Sequence, residues 1–352
     1  MFFNSHHLYN HESIYLNDLH GYVLPHAGTE YSGNIISHTL RFKPTKHFNK
    51  AMIIFLPSHD KPNAMYNGKK YYHEYLVPWK SFDYFFKHKK IEYIPVNILE
   101  DPPMQNYDKN CIYIVSADFS HFLPFQKAIE LENKAAKSMM FRELRNTSYN
   151  KIVDHKLSFK YLYDIIPESH FLHWIGRTRS PGLKGVGYLS FLIREPKFKI
   201  PNGIFVTVYD KNMNAKECLG EWFRNGNKWS QRIENNLINK VIDLGKEGRL
   251  TGGKKLHLPL THYTVTHLYK KQTKDMIRGW HGILKNAFYL SDVFLENTHS
   301  NGKWIDSLDQ GWKKGKFRLT DTFNKLNEKS GINEKSKNYD LYESKVYHYQ
   351  IT

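Results

Sequence analysis

Over the first half of the chain, short apolar runs alternate with helical patterns. Gly21-Tyr22-Val23-Leu24-Pro25 reads as the end of a strand, with His26-Ala27-Gly28 as the turn after it. Residues Glu30 to Phe42 suit a helix. The run Ala51 to Leu56 is continuously apolar and breaks at Pro57-Ser58-His59-Asp60. Ile91 to Val96 and Cys111 to Val115 are two further buried-strand candidates, the second running into Ser116-Ala117-Asp118-Phe119-Ser120-His121. A long helix is expected from Gln126 to Leu144. Continuous apolar strands separated by helices predict an α/β domain with a mostly parallel sheet flanked by helices. In such sheets ligands bind outside the carboxyl ends of the strands. Three polar clusters stand at that kind of position: His26, His59, and Asp118 with His121.

The second half has a different rhythm. Ile204 to Tyr209 is a strand, His262 to Tyr269 alternates like a half-buried one, and Ile283 to Leu290 suits a hairpin turning near Asn286. Helical patterns cover Ile233 to Leu244 and Lys303 to Lys313. This mixture predicts an α+β domain. The boundary is expected between Arg194 and Pro201, where Glu195-Pro196-Lys197 and Ile200-Pro201-Asn202-Gly203 interrupt regular structure. Residues 327–352 are read as a mobile tail, because Asn327 to Tyr339 is rich in Lys, Asn, Glu and Ser.

Composition narrows the classes. A chain of 352 residues is more naturally two domains than one, and 40% hydrophobic with 15% aromatic residues is enough to build packed cores. The net charge of +17 gives affinity for anionic surfaces, nucleic acid included. The lysines are scattered, however, with the densest groups at Lys87, Lys89 and Lys90 and at Lys313, Lys314 and Lys316. No Arg-rich run, RNA-binding aromatic signature or zinc-finger spacing accompanies them, so nucleic-acid binding is the least favoured function. Two cysteines, Cys111 and Cys218, make no disulfide framework. The start lacks a basic region followed by an apolar run, and no stretch approaches the ~18 apolar residues of a membrane span. A cytoplasmic protein without membrane attachment is expected. Gly248 to Lys255 holds the G-x4-G-K part of a phosphate loop, but it lacks the Ser or Thr for magnesium and a preceding strand.

Two strand-end histidines can hold a divalent metal through neutral imidazole nitrogens, or simply hydrogen-bond the strand-end backbone. Their flanks favour the first role. Pro25-His26-Ala27-Gly28-Thr29-Glu30-Tyr31-Ser32-Gly33 resembles the PHAGYxYxG motif of the Memo (mediator of cell motility) family. Leu56-Pro57-Ser58-His59 resembles that family's GPSHH segment, and Ser116 to His121 its SSDFxH segment. Glu74 matches the glutamate of an HSIExxLP segment, whose histidine falls on Tyr71. The resemblance covers roughly residues 20 to 190 and implies a shortened Memo-like domain, 1–196, with a fold like class III extradiol dioxygenases. It further implies iron or copper held by two histidines and a cysteine, here His26 and His59, with Asp118 and His121 as catalytic neighbours. The cysteine's CGRHP segment corresponds to Ile175-Gly176-Arg177-Thr178-Arg179-Ser180-Pro181, which puts Ile175 where the thiolate would be. Isoleucine cannot ligate, and losing a soft anionic ligand weakens copper or iron binding. His173 and His121 are the nearby replacements.

Cys218, in Asn214-Ala215-Lys216-Glu217-Cys218-Leu219-Gly220, is expected at a strand-to-loop turn, as a reactive thiolate or as a small buried residue. Its neighbourhood resembles the AMMECR family, named for a candidate gene in a human contiguous-deletion syndrome. Phe205-Val206-Thr207 is similar to that family's FVT strand and Ala215 to Gly220 to its LRGCIG motif. Gly279 to Ile283 resembles a GxHGI segment, Tyr289 to Val293 a YLPEV segment, and Ile305 to Phe317 the closing IDSLLRKGGF. This resemblance implies an AMMECR-like domain over 197–326, with Cys218 as a candidate catalytic residue. Glu217 stands where the motif has glycine. The two resemblances together imply a domain fusion, and the lost cysteine favours an interaction scaffold for a small molecule or protein partner. Metal-dependent redox or oxygenase-like activity at the His26/His59 pocket is the alternative.

Overall fold

The computed structural model describes residues 2–142, 156–181, 184–195, 200–223, 229–247, 259–270, 281–284, 288–289 and 340–351. The chain separates into two compact units, with described residues up to Glu195 in the first and from Ile200 onward in the second. Both belong to a mixed α/β architecture.

The first unit opens with β1 (Ile14–Leu16), β2 (Leu19–Leu24), α1 (Thr29–Leu40), β3 (Phe42–Pro44) and β4 (Lys50–Phe55). A small hairpin of β5 (Ala64–Tyr66) and β6 (Lys69–Tyr71) leads into α2 (His73–Phe86) and β7 (Glu92–Asn97). Then come β8 (Cys111–Ser116), α3 (Phe125–Met140), α4 (Lys156–Ile165), β9 (Phe171–Arg179) and β10 (Gly187–Arg194). The main sheet has the order β7-β4-β8-β2-β10-β9. Its first four strands are parallel, and β10 runs antiparallel to both neighbours, so the sheet is mixed.

Every residue of β2 and β8 is buried, as strands covered on both faces require. One layer of cover comes from α1 and α2, which pack on each other; α3 and α4 supply another. Ile91 to Val96 was expected to be a buried strand, yet β7 is a half-exposed edge, a position that tolerates Pro95. The helix expected to reach Leu144 stops at Met140, because Phe141 leaves helical geometry and Arg142 turns left-handed (φ 55°). The first helix likewise stops at Leu40, since Phe42 is already extended in β3.

Parallel pairing of β2, β4 and β8 puts their carboxyl ends, and the loops 25–28, 56–60 and 117–121, at one end of the sheet. Strand β8 lies between β2 and β4, so His26 and His59 follow strands that are one apart rather than neighbours.

The second unit contains β11 (Gly203–Asp210), β12 (Ala215–Trp222), α5 (Gln231–Glu247), β13 (Leu260–Lys270), β14 (His281–Leu284), β15 (Phe288–Tyr289) and β16 (Asp340–Gln350). They form an antiparallel sheet of order β12-β11-β13-β16-β14-β15. Helix α5 packs on it through Leu237 and Val241, which meet Ile204, Val206, Val208 and Val265. The expected hairpin is present, with Ile283 opposite Tyr289. Two expectations change. Thr264 to Leu268 are all buried, so β13 does not alternate as a half-exposed strand would. Residues 340–350, read as part of a mobile tail, form β16, an inner strand bonded to both β13 and β14. Its polar composition disguised it: inner position supplies the backbone pairing that the side chains do not advertise. Asn327 to Tyr339, Lys303 to Lys313 and the phosphate-loop-like Gly248 to Lys255 lie outside the described residues.

Candidate functional site at the strand ends

His26 leaves β2 as a buried residue. Its backbone N–H donates to Asp118 Oδ1 at 3.0 Å, and its ring Nδ1 lies 3.0 Å from Ser116 Oγ at the end of β8. Its Nε2 is 3.6 Å from Asp118 Oδ2. The β2 and β8 ends are thus stitched together by the two residue types the sequence singled out. His121 turns its Nδ1 to the Phe119 carbonyl at 2.7 Å and is half-buried.

His59 is exposed, and its link to His26 runs through a residue the sequence reading passed over. The ring of His73, at the start of α2, has its centroid 5.3 Å from that of His26 and 6.0 Å from that of His59. His73 is fixed by its backbone N–H donating to Asn63 Oδ1 at 3.1 Å, and its Nδ1 lies 3.2 Å from Glu74 Oε2. Glu74 is fully buried and accepts from the backbone N–H of Ser58 at 2.7 Å and from the Ser58 hydroxyl. One carboxylate therefore ties the first turn of α2 to the loop that carries His59. Tyr71, where the resemblance puts a histidine, is aromatic, and the histidine beside His26 is His73.

Burial dominates the electrostatics. It pushes His26 down to about 3, helped by His73 and His121 and opposed by Glu74, so the imidazole is neutral at physiological pH. It lifts the Asp118 carboxyl to about 6, against backbone bonds from His26 and Ala27 and the nearby imidazoles of His121 and His73. His73 is lowered by burial, which outweighs the pull of Glu74 and Asp118. Burial works against the Glu74 carboxylate, yet the Ser58 bonds and His73 hold it below its usual value. The pocket therefore presents a neutral His26 imidazole beside the Asp118 carboxyl, raised to about 6.

The loop carrying Asp118 rests on a buried ion network that the sequence did not reveal. Phe119 N–H donates to the Gly187 carbonyl at 2.9 Å, and Gly187 N–H returns a bond to the Ser120 carbonyl at 2.8 Å. The Ser120 hydroxyl contacts Glu132, which also pairs with Arg177 Nη1 at 3.2 Å and Arg179 Nη1 at 3.3 Å. These two arginines are the ones in the CGRHP-like segment, and both are buried.

The donor set does not fit an iron or copper centre of two imidazoles and a thiolate. Ile175 is fully buried in β9 and offers no donor. His173, a nearby replacement, is engaged by Arg194, whose register partner in β2 is Leu19 at the end away from His26. No three ligand atoms drawn from His26, His59, His73, Asp118 and His121 converge within 4.8 Å of one another. Among the described residues that criterion is met by His20, His170 and Glu195 instead.

Cys218 belongs to the second unit. It lies inside β12, opposite Thr207, and not at a strand-to-loop turn. Thr207 Oγ1 donates to its Sγ at 3.2 Å. Beside it Glu217 is buried, accepting the Cys218 N–H through Oε1 at 3.0 Å while Oε2 has no partner. Lys216, in place of the motif's arginine, pairs with Asp210 at 3.0 Å. The GxHGI-, YLPEV- and IDSLLRKGGF-like segments lie wholly or partly outside the described residues.

No protein-family model matches the chain, and neither does any curated protein sequence. No helix among the described residues is long and apolar enough to cross a membrane.

Proposed function

We propose that this chain is a divergent Memo-like domain joined to an AMMECR-like domain, whose strand-end pocket binds a partner as a scaffold and has given up the iron or copper chemistry of its relatives. The reading is supported by Ile175, which the resemblance aligns with the thiolate and which is fully buried in β9, together with a His26 ring already committed to Ser116 and Asp118. Retention of His26, Asp118, His121 and Glu74 in one bonded cluster supports descent from such a pocket. The mixed sheet, with its functional loops at the carboxyl ends of β2, β4 and β8, is compatible with an extradiol-dioxygenase-like ancestry. A neutral His26 imidazole and an Asp118 carboxyl raised to about 6 suit a ligand recognised by hydrogen bonds.

Metal analysis of the wild type beside a His26→Ala/His59→Ala variant tests this. The expected result is iron and copper far below one per chain, and equal in both proteins. Stoichiometric iron or copper that disappears in the double variant overturns it.

One observation favours a second reading. The His73 ring lies within 5.3 Å of that of His26 and 6.0 Å of that of His59, and offers a third imidazole beside them. An iron- or copper-dependent redox activity would then rest on three histidines, once the rings had moved closer. The same analysis on His73→Ala separates the two.

A further inference from the structure

We infer that His20, His170 and Glu195 form a zinc site with an open coordination position, at the end of the sheet opposite the His26 pocket. The topology places them together. His20 lies at the amino end of β2, and His170 immediately precedes β9, which runs parallel to β2 because β10 is antiparallel to both. Glu195 follows β10 and so returns to the same end. One ligand atom from each of the three lies within 4.8 Å of the others. His20 Nε2 and Glu195 Oε2 are already 3.1 Å apart, close to the edge of a tetrahedron with bonds of about 2.0–2.1 Å. The His20 and His170 rings meet edge-on at 4.6 Å.

Tyr107 supplies the outer support that metal-binding imidazoles need. Its phenol oxygen is 2.7 Å from His20 Nδ1 and 3.0 Å from His170 Nε2. A proton on His170 Nε2 would point at the phenol oxygen, which turns His170 Nδ1 toward the metal. His20 Nδ1, in contrast, accepts from Lys46 Nζ, so ligation through His20 Nε2 requires Lys46 to give up that bond. His170 Nδ1 is the second, independent sign: it is buried, in a residue 3% exposed, and has no hydrogen-bond partner. A cation accounts for that orphaned atom. Two imidazoles with one carboxylate are a donor set suited to zinc. The Glu195 side chain is 46% exposed, so water can reach the remaining position. Lys46, whose Nζ is 2.8 Å from His20 Nδ1 and 2.8 Å from the Lys109 carbonyl, is the local charge that opposes a cation.

Cobalt(II) and zinc(II) titration of chelator-treated full-length protein tests the site, with Co(II) visible absorption as the readout of coordination. One ion per chain is expected. Glu195→Gln and His170→Asn should each weaken binding by more than about 100-fold, and Tyr107→Phe by about 10–100-fold. Lys46→Gln should tighten it, a change that a merely structural lysine would not produce. His26→Ala/His59→Ala should leave it unchanged, which keeps this site separate from the strand-end pocket. Absence of stoichiometric binding by the wild type overturns the inference, as does binding unaffected by Glu195→Gln and His170→Asn in folded variants.

Discussion

Keeping His26 neutral has a cost that acid exposes. Its folded value is about 3, against about 6.5 for a histidine in an unfolded chain. A depressed value means that the unfolded state takes up the proton first, so stability is intact above about pH 6.5 and declines as pH falls toward 3. Between pH 7 and pH 5 the unfolded chain gains most of a proton at this position and the folded chain almost none. That difference removes about 2 kcal/mol. Asp118 acts with the opposite sign, because its raised value lets the folded state take a proton in the same window and returns about 1 kcal/mol. The variant His26→Asn keeps an acceptor or donor near Ser116 and deletes only the histidine's contribution. The stability advantage of wild type over variant should therefore shrink, by up to about 2 kcal/mol, from pH 7 to pH 5, with the backbone bond from position 26 to Asp118 kept in both proteins. Urea unfolding of the two proteins at both pH values, followed by circular dichroism across the transition of the first unit, measures it. Parallel pH dependences would refute the claim that His26 is buried and neutral. So would an imidazole resonance of His26 that titrates near pH 6.

Three further outcomes follow from particular contacts. Glu132→Ala removes the carboxylate shared by two buried guanidinium groups, Arg177 and Arg179, and should cost about 3–5 kcal/mol in urea unfolding, with Glu132→Gln less damaging. Ile175→Cys restores the donor type that the Memo resemblance calls for; copper or iron analysis should show metal gained relative to the wild type, and lost again in Ile175→Cys/His26→Ala. Ending the chain at Tyr339 removes β16, an inner strand paired on both sides, so hydrogen exchange should show protection lost from β13.

How much of this was legible in the sequence depended on what kind of signal each part leaves. Continuous apolar runs gave β2, β4 and β8, and the strand-end rule then located His26, His59 and Asp118, because both signals are local in sequence. The order of those strands left no such trace: β8, last of the three in the chain, inserts between the other two. β7 has an apolar composition like that of an inner strand, and only its place at the edge leaves it half-exposed. Strand β16 erred the other way, since Asp340 to Gln350 is polar and aromatic by turns and pairs with residues some 80 positions earlier. Glu132 reads as an ordinary helix-surface glutamate until Arg177 and Arg179 arrive from β9.

The two histidine clusters make the same point from opposite ends of one sheet. At the carboxyl ends, the backbone itself gathers functional groups into consecutive loops, so a short motif after each strand announces the pocket. At the amino ends, His20, Tyr107, His170 and Glu195 come from four separate stretches spanning 175 positions, and no two share a motif. What marks them is physical and visible only in three dimensions: a shared phenol, an edge-on ring pair, and one buried nitrogen without a partner. A fold that keeps its recognisable pocket bonded up within itself, and leaves an unpaired ligand atom at the other end, directs the search for metal away from the end its motifs point to.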